Sequence, residues 1–155
     1  MTKFAYIKNW FSNYSRLDEP YEYQNVLYYT VENFYQAMKT YKHNIDIRKY
    51  IASLSPGKAK KFWRINGNKK KHMRKDWREM NLEVMDHILH VKFAKDTSWH
   101  KALMKTKGPI VEWNNWHDKF FGKCVCAKCQ NEGENHLGKM LESIREEFSD
   151  EESIL

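Results

Sequence analysis

The sequence predicts an α+β fold: a single, mainly helical domain with one small β-sheet. Three observations lead there. Near the N-terminus, two short aromatic and β-branched runs flank the pair Gln24-Asn25, the pattern of a hairpin. Beyond residue 30, apolar residues recur three and four apart in several segments bounded by capping residues and Gly or Pro stops, the pattern of amphipathic helices. A chain of 155 residues, 41% of them hydrophobic, suits one domain with a substantial core. We expect that domain to span residues 1–148, with 149–155 as an acidic tail.

Taken in order, residues 4–7, 21–23 and 26–29 read as strands, and the polar run Phe11-Ser12-Asn13-Tyr14-Ser15 as a loop. Thr30 caps a helix expected to reach residue 41, with Glu32 in its first turn, where the helix dipole favours an acid. Val31, Phe34, Tyr35 and Met38 form its buried stripe. Glu32, Gln36 and Lys39 recur at i, i+4 and i+7 on another face, which suits either a ligand or plain solvent. A second helix covers 45–54 and stops at Ser55-Pro56-Gly57. The segment 58–78 carries ten Lys or Arg against one acid, Asp76, a formal charge of +9, with Asn66-Gly67-Asn68 as a loop tip. It reads equally as a solvated basic surface and as a phosphate-tracking patch; Trp63 and Trp77 within it suit stacking on bases.

The longest helix is placed over 76–95, where Trp77, Met80, Val84, Ile88 and Val91 share a stripe, so on spacing alone Trp77 is a core residue at the helix start. A shorter helix over 99–106 ends at Lys107-Gly108-Pro109, and Ile110-Val111 follows as a buried strand presenting Glu112 at its end. Asn135 is placed as the N-cap of the last helix, whose buried face is Leu137, Met140, Leu141, Ile144 and Phe148. Six acids against Arg145 in 142–152 give a formal charge of −5, and the chain beyond Phe148 is expected to fray.

A net charge of +7 and a pI near 9.2 favour an anionic ligand, phosphate being the commonest kind. No stretch reads as a signal peptide or a membrane span, which leads us to expect a cytoplasmic protein without membrane partners. The three cysteines fall within 124–129, too close and too few for a disulfide framework. Cys124, Cys126 and Cys129 have spacings used by metal sites, with His117 or His136 available as a fourth ligand. The expectation is nevertheless a free-thiol connector without metal, zinc being the alternative. Glu32, Glu112 and Asp118 stand among aromatics near predicted element ends, where a carboxylate can activate water or stabilise an oxocarbenium-like transition state. Exposed acids are common, and spacing alone leaves these open.

Six blocks then carry a resemblance along nearly the whole chain. They are Phe11-Ser12-Asn13-Tyr14; the run 30–39, TVENFYQAMK; Asp76-Trp77; Lys92-Phe93; Val111-Glu112 followed by 118–122; and Gly133-Glu134-Asn135-His136-Leu137-Gly138 with Ile144-Arg145. In this order they resemble the YbiA-like or NADAR family, named for NAD and ADP-ribose. The resemblance implies a YbiA-like α+β N-glycosidase of ribosylated bases that uses no cofactor. It places catalysis on Glu32, Trp77 and Asp118, with a carboxylate stabilising the cationic ribose or positioning water and Trp77 stacking on the base. Substrate binding falls to Asn13 and Gln36 for ribose or base, to Lys39, Arg64 and Arg145 for phosphate, and to Glu112, Asn135 and Gly138 around the last helix start. Arg145 reads equally as a buried partner of a carboxylate. The segment 111–145 then holds half of a site that Glu32 and Trp77 complete. The implied partner is an ADP-ribosyl or ribosyl-phosphate substrate, possibly on nucleic acid, and the implied reaction is removal of ADP-ribose from a nucleobase. The alternatives are cleavage of ribosylamino-pyrimidine phosphates of the riboflavin pathway and a non-catalytic ADP-ribose or nucleic-acid binder; oligomeric state is left open. The chain departs from the family pattern at Phe121, which replaces a Trp, in a longer gap between Glu112 and Asp118, at Trp63-Arg64 in place of Gly-Arg, and in its cysteines.

Overall fold

The structure is a computed structural model describing residues 2–5 and 11–154, with side chains from 11 to 153. In chain order its elements are β1 Thr2–Ala5, β2 Arg16–Tyr23, β3 Val26–Thr30, α1 Val31–Ala37, α2 Ile45–Ser53, α3 Pro56–Lys61, a 3-10 turn Phe62–Arg64, α4 Asn68–His72, α5 Trp77–Lys92, α6 Ser98–Met104, β4 Ile110–Asn114, β5 Lys123–Cys124 and α7 His136–Ile154. The chain is α+β and mainly helical, as its patterning predicts. It divides into two compact units, Asn13–Lys92 on one hand and Met1–Ser12 with Phe93–Leu155 on the other.

The unit Asn13–Lys92 opens with the expected hairpin. Gln24 (φ 51°) and Asn25 (φ 62°) both take left-handed backbone, the requirement of a two-residue turn whose twist matches its strands. β2 begins at Arg16, well before the strand read at 21–23, and its pairing with β3 is irregular between Arg16 and Tyr21. Pro20 lies in that interval and has no N–H to give a ladder, so the register slips there rather than the strand ending. Thr30 caps α1 as expected, its hydroxyl oxygen accepting from the Asn33 N–H at 3.0 Å. The helix ends at Ala37, short of 41, because the chain then turns to bridge Thr40 to Met73. All seven residues of α1 are buried. The Asn33 amide uses that burial to donate to Ile51 O (2.9 Å) and Leu54 O (2.8 Å), binding the C-terminal end of α2.

Ser55-Pro56-Gly57 ends one helix and starts another. The Ser55 hydroxyl accepts from the Lys58 N–H, and Pro56 takes the first helical position, where a missing N–H costs nothing. The core face of α5 is Met85, Ile88, Leu89 and Lys92. Trp77, Met80, Val84 and Val91 are half-buried, so Trp77 is not the core residue that spacing alone suggests.

The other unit holds a second sheet that the sequence reading lacks. It is three-stranded and parallel, in the order β1-β4-β5, with Thr2 opposite Ile110 and Asn114 opposite Cys124. β1 covers part of the strand read at 4–7; residues 6 and 7 lie outside the described residues. β4 is the central strand, which puts Glu112 in its middle rather than at its end. Leu137, Leu141 and Ile144 bury one stripe of α7, with Met140 and Phe148 half-buried. The helix continues to Ile154, and residues 149–153 are exposed but helical rather than frayed.

α7 approaches β4 at glycine distance. A Cβ on Gly138 would lie 2.0 Å from Ile110 O. Gly138→Ala should therefore destabilise the full chain by about 3 kcal/mol, the upper range for overpacking, since the clash is with backbone that cannot rotate away. Urea unfolding followed by tryptophan fluorescence measures the loss.

Candidate active site

In the unit Asn13–Lys92 the polar line on α1 is not a solvent face. Glu32 is 6% exposed and Gln36 3%. The Gln36 amide donates to Glu32 Oε1 at 2.7 Å, fixing the carboxylate along the helix. Gln36 Oε1 is buried and accepts no hydrogen bond among the described residues, nor does Asn13 Oδ1. Buried acceptors left this way are costly unless something supplies a donor, which makes both atoms natural contacts for hydroxyl or base N–H groups. Asn13 reaches this place because its carbonyl accepts from the Glu32 N–H at 3.0 Å.

Lys39 follows two residues past the end of α1 and is half-buried. Its ammonium lies 5.3 Å from the centre of the Tyr35 ring and 5.9 Å from that of Trp77, and the two rings meet edge to face at 5.0 Å. Burial pushes the Lys39 amine down to about 8, with Lys60, Lys69 and Arg64 adding to the effect and Glu32 opposing it. Burial also raises the neighbouring Tyr14 phenol to about 12, and the Glu32 charge adds to that rise. Arg64 is exposed at the end of the 3-10 turn. Its neighbour Trp63 is buried and donates its indole N–H to Gln36 O at 3.1 Å, which ties the turn to α1 and explains a tryptophan inside a basic segment.

Lys92 received no role from its sequence position. It is 1% exposed and donates to Ser15 Oγ at 2.7 Å, anchoring the loop that carries Asn13, and burial pushes its amine down to about 7. The available signal was a lysine spaced three and four residues from Leu89 and Ile88 on a helix whose buried face is otherwise apolar. Most of the other basic residues of 58–78 are exposed; Arg74 is half-buried and forks onto Asp76 at 2.6 and 2.9 Å. A cavity of about 360 Å3 opens on the opposite face of α1, lined by Phe34, Met38, Arg48, Arg74 and His87 among others. None of the residues carried over by the resemblance lines it.

In the other unit Asp118 is half-buried at a tight turn. Its Oδ1 accepts from the N–H groups of Phe120 and Phe121, both at 3.0 Å. Asn114, fully buried, clamps the same residue from β4: its Oδ1 accepts from the Asp118 N–H at 3.1 Å and its Nδ2 donates to Asp118 O at 2.7 Å. Sequence reasoning missed Asn114, which is the residue that holds Asp118 despite the longer connection to Glu112. The Glu112 N–H donates to Asn135 Oδ1 at 3.0 Å, and Asn135 Nδ2 donates to Ile110 O at 2.8 Å. Asn135 thus bridges to β4 and, at φ 56°, lacks the extended backbone of an N-cap. Gly138 serves the same helix–strand contact. Arg145 donates to Thr106 Oγ1 (2.9 Å) and Gly108 O (2.7 Å), tying down the turn at 106–108 rather than pairing with a carboxylate. The three cysteines gather around His117, not His136.

The fold is the α+β arrangement of YbiA. The NMR structure of the E. coli protein YbiA superposes with a TM-score of 0.73, covering 97% of this chain and 87% of that one at 24% identity, a likeness of fold. The NADAR domain profile matches residues 2–149, and the chain belongs to the NADAR domain family. An N-glycosidase from Nostoc punctiforme is 32% identical over 140 residues, which cover 89% of this chain and 84% of that protein. The chloroplastic riboflavin biosynthesis protein PYRR of Arabidopsis thaliana is 29% identical over 109 residues, 70% of this chain but 18% of that much longer protein.

The two buried amines set a pH dependence. With Lys39 near 8 and Lys92 near 7 in the folded state, against an ordinary value of 10.5, the unfolded chain binds more protons between those values and 10.5. Their contribution to stability therefore rises with pH from about 7 towards 10.5. Denaturant midpoints measured between pH 7 and 9 should show a shallower rise, or a steeper fall, in Lys92→Met than in the wild type.

Proposed function

We propose that this hydrolase of N-glycosyl bonds removes ADP-ribose from a nucleobase. The observation that carries the reading is the buried pair Glu32 and Gln36 on one face of α1, with half-buried Lys39 just past the helix end beside the Tyr35 and Trp77 rings. That order suits a ribosyl C1 at the carboxylate and a phosphate at the lysine. In this reading a carboxylate meets the positive charge that develops on the ribose as its C1–N bond breaks. Gln36 Oε1 and Asn13 Oδ1 accept from sugar hydroxyls or base N–H groups, and Lys39 and Arg64 neutralise phosphate. Trp77 stacks on the base and excludes water. Water adds to C1 and gives its proton to a carboxylate; the base leaves with the electron pair of the broken C1–N bond and takes up a proton from solvent, to which the carboxylate then returns its own.

Glu32 and Asp118 are the two carboxylates assigned to this chemistry. Either Asp118 or Glu32 is the base that takes the water's proton. Asp118 enters through the family motif and through the care with which Asn114 and the Phe120 and Phe121 amides fix it. The basic segment 58–78 supports a substrate carried on nucleic acid. The riboflavin-pathway reading has its own support in the name of the Arabidopsis relative, and a ribosylamino-pyrimidine phosphate offers the same ribosyl and phosphate groups.

The test is release of free sugar from an ADP-ribosylated DNA oligonucleotide and, in parallel, from a ribosylamino-pyrimidine phosphate. Turnover of the oligonucleotide is the expected result; turnover of the pyrimidine alone selects the second reading, and binding of either without turnover overturns catalysis. Glu32→Gln, Trp77→Ala and Asp118→Asn should each lower kcat about 100-fold or more with circular dichroism unchanged. The carboxylate whose variant loses the acidic limb of the kcat profile is the base. For the nucleic-acid arm, Lys69→Gln should reduce the salt slope of binding single-stranded DNA by about 0.7 if that lysine meets a phosphate.

A further inference from the structure

The segment 115–135 has little regular structure. Among the described residues its one strand, β5, is two residues long, and left-handed backbone occurs at His117 (φ 68°), Gln130 (φ 52°), Asn131 (φ 65°) and Asn135 (φ 56°). Within it four side chains converge. His117 Nδ1 lies 3.3 Å from Cys129 Sγ, 3.5 Å from Cys126 Sγ and 4.0 Å from Cys124 Sγ, and all four ligand atoms fall within 4.8 Å of one another. A zinc ion bound tetrahedrally at ordinary Zn–S and Zn–N lengths separates its ligands by about 3.8 Å for sulfur pairs and about 3.6 Å for sulfur and nitrogen. The three nitrogen–sulfur distances bracket that value.

The backbone is arranged to make this cage. The N–H groups of Cys129 and Gln130 both donate to Cys126 O (3.1 and 3.0 Å), curling Cys126-Ala127-Lys128-Cys129 into a tight turn that points two sulfurs the same way. Cys124 comes to the same place from β5, its carbonyl accepting from the Asn131 N–H at 2.9 Å and its N–H donating to Glu132 O at 3.0 Å. Cys124 and Cys129 are buried, and no disulfide joins any of the three thiols.

We infer that His117, Cys124, Cys126 and Cys129 form a zinc site. Three thiolates and an imidazole are a soft, tetrahedral set that selects zinc over the hard cations magnesium and calcium. All four positions come from the protein, so the ion is structural: it opens no place for water or substrate. It braces a connector that has too little core of its own, and the thiols release their protons as it binds. The sequence reading puts zinc second because a structural site commonly has two separated ligand pairs; here the left-handed turn at His117 folds a single compact knot back onto a fourth candidate ligand.

The experiment uses the full chain purified under reducing conditions from zinc-supplemented growth. Metal analysis should give about one equivalent of zinc. After chelation, titration with cobalt alone should produce the intense visible bands of a four-coordinate thiolate site. Cys126→Ser and His117→Ala should each lose the bound metal, while His136→Ala keeps it. Less than about half an equivalent of zinc, a weak octahedral cobalt spectrum, or zinc undiminished in both Cys126→Ser and His117→Ala would overturn the assignment. Where a variant fails to fold, the wild-type cobalt spectrum decides by itself.

Discussion

A seven-residue helix buried at every position has no room for idle polar groups. α1 carries Glu32, Asn33 and Gln36 in that setting, and a buried polar atom must find a partner or cost free energy. Asn33 is satisfied by the end of α2, and Thr30 by the helix it caps. Glu32 and Gln36 bind one another, but the Gln36 oxygen has no donor among the described residues. The hairpin, the 3-10 turn held by Trp63 and the loop anchored through Lys92 and Ser15 are the means by which this short helix stays buried.

The other unit solves a different problem with similar chemistry. Its irregular segment must hold one aspartate still, and it does so with carboxamides that pair with backbone. Asn114 grips Asp118 on both its N–H and C=O, and Asn135 does the equivalent for β4 at Ile110 and Glu112. A carboxamide carries both donor and acceptor, so one buried side chain replaces the ladder that a neighbouring strand would otherwise give. Asn114 on β4 and Asn135 before the last helix both serve the scaffold in this way.

Much of the helical framework was legible in the sequence, and the physical reasons are local. Thr30, Gln24-Asn25 and Leu137, Leu141 and Ile144 announce cap, turn and stripe through their immediate neighbours. What was not legible depends on distance. The parallel sheet joins residues 2–5 to 110–113, a pairing with no local signature, and β5 is too short to show a period. Among the candidate site residues, Glu32 and Gln36 were marked by spacing as a polar line whose face was open, and only packing shows it buried. For Asn135 and Arg145 the motif gives residue types without partners; the structure adds Ile110, Glu112, Thr106 and Gly108 as their intramolecular ones. Lys92 and Asn114 were overlooked because a buried lysine and a strand asparagine look, in sequence, like exposed ones.

The pairing of β1 with β4 has a temporal side. The unit Asn13–Lys92 is continuous in sequence, and its hairpin and helices join near neighbours, so it can condense as soon as that stretch has been synthesised. The three-stranded sheet cannot: its strand at residues 2–5 must be held open until residues 110–114 arrive, and closing so long a loop is entropically slow. The chain is thus built like a parenthesis, and the last stretch to settle is the one that carries Asp118.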